Sequence, residues 1–77
     1  MASLRRRFGV AIRRLREQAS PIGYSQETFA LKAGIARSYY GKIERGQVNI
    51  SLDLIERISK TLGVSVGRIF LETDKLN

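Results

Sequence analysis

"YSQETFALKAGIARSYYGKIERG", residues 24–46, carries two short helical patterns on either side of one glycine. In the first, Ser25 stands where a side chain can cap a helix start. Gln26 and Glu27 fall in its first turn, where an acidic group suits the helix dipole. Phe29, Ala30 and Ala33 form its inner face, and Gly34 follows at once, where helices commonly end on a residue of positive φ. After Ile35 a second helix is expected from about Ala36 to Arg45, with Tyr40 and Ile43 pointing inward and Gly46 closing it.

Two short helices joined by a tight turn are the arrangement of a helix-turn-helix, whose second helix enters the DNA major groove. Such a helix lies on the core through one side and keeps the other bare for base edges. Arg37, Ser38, Lys42 and Arg45 occupy that bare side here. Gly41, among them, costs about 1 kcal/mol in a helix interior. A helix with only a structural job has little reason to accept it, unless another backbone approaches closely at that point.

Outward from this stretch the pattern stays helical. "SLRRRFGVAIRRLREQAS" spaces Leu4, Phe8, Ala11, Ile12, Leu15 and Ala19 for an amphipathic helix capped by Ser3, weakened in its middle by Gly9. The breaker cluster with Pro21 and Gly23 ends it. Beyond the loop "QVNI", Ser51 caps a fourth helix with Leu52, Ile55, Ile58 and Leu62 as its apolar stripe, ended by Gly63. Ser65 opens a last short helix, "VGRIFLE", followed by a polar tail. The expectation is an all-α, compact five-helix fold, one domain over residues 1–77, with its motif at about 25–46.

Composition narrows the function classes. The 77 residues include no cysteine and no histidine, which excludes disulfides and the usual zinc sites. No stretch is long and apolar enough for a membrane span, and the N-terminus lacks the features of a signal peptide, so a cytoplasmic protein is expected. The net charge of +7 favours a polyanionic partner, nucleic acid or an anionic membrane surface. A basic first helix lying on lipid is the rival of a different class, opposed by the caps and turns of the four helices that follow. An enzyme is not expected, since there is no His, no Cys, no glycine-rich phosphate loop and no plausible carboxylate pair.

"SQETFALKAGIARSYYGKIERG", followed by "VNISLDLIERISKTLGVSVGRIF", resembles the lambda-repressor-like helix-turn-helix family, also called the Cro/C1 or XRE type. The likeness rests on Ser25-Gln26-Glu27, Ala30, Gly34 and Ile43-Glu44-Arg45-Gly46, and runs from about Val10 to Phe70. Within that family, "RSYYGKIERGQVNISL" is most similar to controller proteins of restriction–modification systems. A phage-type repressor or an antitoxin-type autorepressor is the nearest alternative.

The resemblance implies roles residue by residue. Arg37, Ser38 and Lys42 match base-reading positions; an arginine can pair bidentately with guanine, for about 1–3 kcal/mol of discrimination. Gln26, Tyr39, Arg45, Gln47 and Asn49 match contacts to the DNA backbone. Plainer readings stay open: Arg37 or Lys42 on phosphate or in solvent, Tyr39 half-buried, Gln26 as a local cap, Asn49 as a turn former. Glu44 would be repelled by DNA, and the family turns the matching acid inward onto an arginine of the first helix, here Arg16, as a structural ion pair.

The resemblance also implies a homodimer on a near-palindromic double-stranded operator, activating or repressing transcription, with two dimers on adjacent sites as a further possibility. No cofactor, small-molecule ligand or membrane enters this picture. Ile50, Leu54, Val66, Ile69 and Leu71, in or beside the two helices at about 51–71, exceed what so small a core can absorb and are the candidate interface. Three departures from the family pattern stand out: a lengthened loop at residues 18–23, Ala36 in place of a Ser or Thr cap, and Gly67-Arg68 where acids are usual.

Overall fold

The structure, a computed structural model, describes residues 2–19 and 22–76. Among them are five helices and no strand: α1 (Leu4–Gln18), α2 (Gln26–Ala33), α3 (Arg37–Glu44), α4 (Leu52–Leu62) and α5 (Val66–Asp74). Four begin after a serine in extended backbone whose Oγ accepts from the amide three residues on. Ser3 accepts from Arg6, Ser25 from Thr28, Ser51 from Leu54 and Ser65 from Arg68. Each such cap contributes about 1 kcal/mol. The exception is α3: Ala36 holds the cap position and has no side-chain acceptor to offer.

The turn between α2 and α3 follows from Gly34. Its φ of +70° lets the chain reverse, and the N–H of Ile35 returns to Ala30 O at 2.9 Å. A Cβ at Gly34 would meet nothing nearer than Arg57 Nη1 at 3.9 Å, so glycine here answers a conformational demand and not a spatial one. Arg57 of α4 also holds the turn from below, donating from Nη1 to Gly34 O at 3.2 Å. Pro21, expected to help end α1, lies outside the described residues; Gly23 nearby has φ +81° and donates its N–H to Ala19 O.

The core collects one face from every helix: Phe8, Ile12 and Leu15 of α1, Phe29, Ala30 and Ala33 of α2, and Tyr40 and Ile43 of α3. Ile55 and Ile58 of α4 and Ile69 of α5 complete it, with Ile35 from the turn. α1 packs on α3 and α5, and α2 packs on α3 and α4. The Phe29 and Tyr40 rings meet at 5.2 Å between centroids, which pins α3 onto α2 inside the motif.

Some expectations need correction. Leu52, assigned to the stripe of α4, is 81% exposed, and Leu4 is half-exposed at the rim of an apolar groove shared with Phe8, Ile43 and Phe70; each is the first residue of its helix. The tail begins later than expected, because α5 continues through Thr73 and Asp74. Thr73 is fully buried, and its Oγ1 donates to Ile69 O at 2.8 Å. Gly9 is no simple weak point in α1. A Cβ there would come within 2.7 Å of Ile43 O and of the Glu44 carbonyl carbon, so α1 and α3 touch backbone to backbone.

Candidate nucleic-acid interface

The α3 helix is eight residues long and uncapped, so it depends on what lies beneath it. Tyr40 and Ile43 are buried on its inner side, and Arg37, Ser38 and Lys42 stand exposed on the outer one. Tyr39 lies at the margin, exposed along its edge. Arg45, Gln47 and Asn49 follow on the surface just past the helix, with Arg45 Nε donating to Gln47 Oε1 at 3.1 Å. Arg37 Nε lies 3.9 Å from Glu27 Oε2 across the turn, both groups well solvated. Such an exposed pair is worth little and leaves the guanidinium free to exchange partners.

Glu44 is the one acid on α3, and it faces inward. Arg16 Nε donates to its Oε2 at 2.7 Å and Nη2 to its Oε1 at 3.1 Å, a two-pronged pair whose side chains are 8% and 3% exposed. Arg16 Nη1 also donates to Tyr24 O at 2.7 Å, so one guanidinium ties α1, α3 and the approach to α2. Gln26 joins from the start of α2, its Nε2 donating to Glu44 Oε1 at 3.0 Å. Tyr40 Oη is buried beside the pair and makes no hydrogen bond of ordinary geometry with the protein.

This environment sets the ionisation. Burial, the largest single effect, pushes the Glu44 carboxyl up, but the hydrogen bonds from Arg16 and Gln26, the Tyr40 hydroxyl and the Arg16 charge together hold it below the usual carboxylate range. The hydrogen bond from Glu44 raises the Arg16 guanidinium, against the opposing effect of burial. Burial foremost, then the neighbouring carboxylate, raises the Tyr40 hydroxyl far above its ordinary value. The pair therefore stays charged and removes a negative charge from the outer face of α3.

Of the residues expected at a dimer interface, Ile69 is a correction: it is fully buried in the core of its own chain and has no surface to offer. Ile50 and Leu54 are half-buried against the core, whereas Val66 and Leu71 are 37% and 54% exposed. Sequence reasoning missed Gly9 as a contact with α3, Arg57 as a brace for the turn and Glu27 as the neighbour of Arg37. Only Gly9 left a signal, as a glycine inside an otherwise well-formed amphipathic helix.

An anchored underside, a cationic outer strip and a glycine turn define a DNA-binding helix-turn-helix protein. The helix-turn-helix family model matches residues 12–69. The control protein C.MunI of a Mycoplasma species is 36% identical over 75 residues, 97% of this chain and 99% of that one. The control protein C.BamHI of Bacillus amyloliquefaciens is 45% identical over 62 residues, 80% of this chain and 74% of its own. The solved restriction-modification controller protein C.AhdI from Aeromonas hydrophila superposes with a TM-score of 0.76 at 38% identity, over 84% of this chain and 94% of that one. The chain belongs to the helix-turn-helix family. It is a DNA-binding transcription regulator of the controller type, not an enzyme. Among the described residues no helix is long and apolar enough to cross a membrane.

Proposed function

We propose that this chain is the controller protein of a restriction–modification system. It acts in the cytoplasm as a homodimer on a near-palindromic double-stranded operator, with two dimers able to occupy adjacent sites. The observation that carries this reading is the outward strip of Arg37, Ser38 and Lys42 on a helix anchored by Tyr40 and Ile43, in a chain that matches a control protein almost end to end. Arg37 and Lys42 have the donors to read base edges in the major groove, with Ser38 between. Gln26, Tyr39, Arg45, Gln47 and Asn49 are assigned to the DNA backbone, fixing register without carrying sequence information. Residues 1–77 are read as one such domain.

Two recognition helices must fall in successive major grooves, about 34 Å apart, for a palindrome to be read. Val66 and Leu71 of α5, with half-buried Ile50 and Leu54, supply the apolar surface assigned to the two-fold contact. No small-molecule ligand is part of the reading.

The test is a selection of bound duplexes from a random-sequence pool, followed by two variants on the selected site. Arg37→Ala is expected to relax preference at one base position, at a cost of about 1–3 kcal/mol. Arg45→Ala is expected to weaken all sequences alike and to reduce the log–log salt slope by about 0.9. If the two variants lost affinity uniformly and to the same degree, the assignment of Arg37 to base reading would be wrong.

A further inference from the structure

Gly41 sits in the middle of α3, buried although it belongs to the outward side. The three atoms that a Cβ there would meet first are all from side chains: Arg45 Nη1 at 3.0 Å, Gln26 Oε1 at 3.5 Å and Arg45 Cζ at 3.7 Å. The Arg45 guanidinium therefore folds back over Gly41, one turn before its own Cα, as helical side chains do. Its Nε is held at the far end by Gln47 Oε1 at 3.1 Å.

Gln26 forms the other wall of this slot, and its orientation is dictated from below. The Glu44 carboxylate only accepts, so the Gln26 amide nitrogen must face it, as the 3.0 Å bond requires. The amide oxygen is then left to lie over Gly41, 3.5 Å from where a Cβ would stand. A neutral acceptor in that position suits a cation. The buried Arg16–Glu44 pair thus orients Gln26, and Gln26 borders the seat of Arg45.

We propose that Gly41 is a positioning residue for DNA binding. Its missing side chain opens a slot that seats the Arg45 guanidinium between Gln26 and Gln47 as a fixed cation aimed at a backbone phosphate. The inference rests on the DNA-binding reading above. A guanidinium is a planar fork suited to two parallel bonds with a phosphate, and a fork already seated has less side-chain freedom to lose on binding. Helix stability gives no reason for a glycine here, since alanine would be the better helix former. Close backbone approach gives none either, because what lies over Gly41 is side chain and not backbone.

The test is a double-mutant cycle of Gly41→Ala, Arg45→Ala and both together in the full chain. Thermal unfolding is measured for each variant, and binding to a labelled mixed-sequence DNA duplex is measured over a salt series. Gly41→Ala is expected to melt above the wild type and yet to bind the duplex roughly two- to tenfold more weakly, the scale of one lost ordered side chain. In the Arg45→Ala background the same substitution is expected to leave affinity unchanged. Gly41→Ala binding as tightly as the wild type would overturn the inference. So would an equal loss in both backgrounds, which would mean that the new methyl meets DNA directly. A wild-type chain that bound no duplex at low salt would instead defeat the DNA-binding reading, and this inference with it.

Discussion

Replacing Gly9 by alanine separates what the sequence suggests from what the packing dictates. By helix propensity alone, alanine in the middle of α1 should stabilise the chain by about 1 kcal/mol. The structure reverses the sign. The added carbon would sit within 2.7 Å of Ile43 O, whereas ordinary contact begins at 3.4 Å, and the obstacle is backbone that cannot rotate away. Against Glu44 O, the nearest atom of all, the clash is deeper still, so α1 and α3 must part by about 1 Å, and a gap of that size forfeits about half of each dispersion contact across the seam. With no side chain free to yield, the upper end of the usual overpacking range applies, about 3 kcal/mol. The propensity gain offsets about 1 kcal/mol of it, for a net destabilisation of about 2 kcal/mol. At about 4–8 °C per kcal/mol for a domain of this size, the midpoint should fall by about 8–16 °C. Thermal unfolding followed by far-UV circular dichroism measures this directly. Gly67→Ala is the control: a Cβ there would find only Ser65 Oγ, at 3.8 Å, and the midpoint should rise. A Gly9→Ala chain melting at or above the wild type would refute the backbone contact between α1 and α3.

The remaining expectations concern the buried pair and the two sides of α5. Glu44→Gln leaves Arg16 charged and uncompensated and should cost about 3–5 kcal/mol in denaturant unfolding at neutral pH. Because the Glu44 carboxyl is held below its ordinary value, its contribution is complete above that value and is lost as the pH falls through the lower folded one. Acidification should therefore destabilise the wild type more steeply than the Glu44→Gln chain; equal slopes would count against a charged Glu44. Ile69→Ala should cost about 2–5 kcal/mol as a core truncation. Leu71→Asp should instead shift sedimentation toward monomer while the helical content of the chain is kept; a dimer undiminished by Leu71→Asp would remove Leu71 from the interface.

What was legible in the sequence was whatever depends on short-range chemistry. Serine caps at residues 3, 25, 51 and 65, and glycines at 34 and 63, are local rules that act within a single turn, and the helices start and stop where these residues stand. Apolar spacing gave Ile12, Phe29, Tyr40 and Ile58 their burial, because every turn of a mid-helix stripe meets a neighbour. The same rule failed at Leu52 and held only in part at Leu4, each the first residue of its helix. The assignment of Ile69 to an interface failed for a different reason, since counting apolar residues cannot tell which side of a short helix a core will take. Contacts between helices left almost no trace in the chain. Nothing in the order of residues states that Gly9 lies against the carbonyls of residues 43 and 44, or that Arg57 reaches the turn at Gly34. The Arg16–Glu44 pair was reached through family likeness, because a separation of 28 residues carries no periodicity to read.

These long-range contacts bear on function because of how short the recognition helix is. Eight uncapped residues containing a glycine would not stay helical in water, where isolated helices below about 12–15 residues are marginal. The helicity of α3 and the direction in which it projects are thus both borrowed from the rest of the chain. Phe29 fixes it through Tyr40, the Gly9 seam sets its distance from α1, and Arg16 takes up its one acid. Near its end, Gly46 turns with φ +72° in a space where any Cβ would strike the backbone of Arg6. A base-reading arginine must reach its partner within hydrogen-bonding distance, so a shift of α3 by a few tenths of an ångström matters even while the chain remains folded. Substitutions beneath α3 should accordingly weaken DNA binding before they unfold the protein, and a residue need not face the groove to govern what is read there.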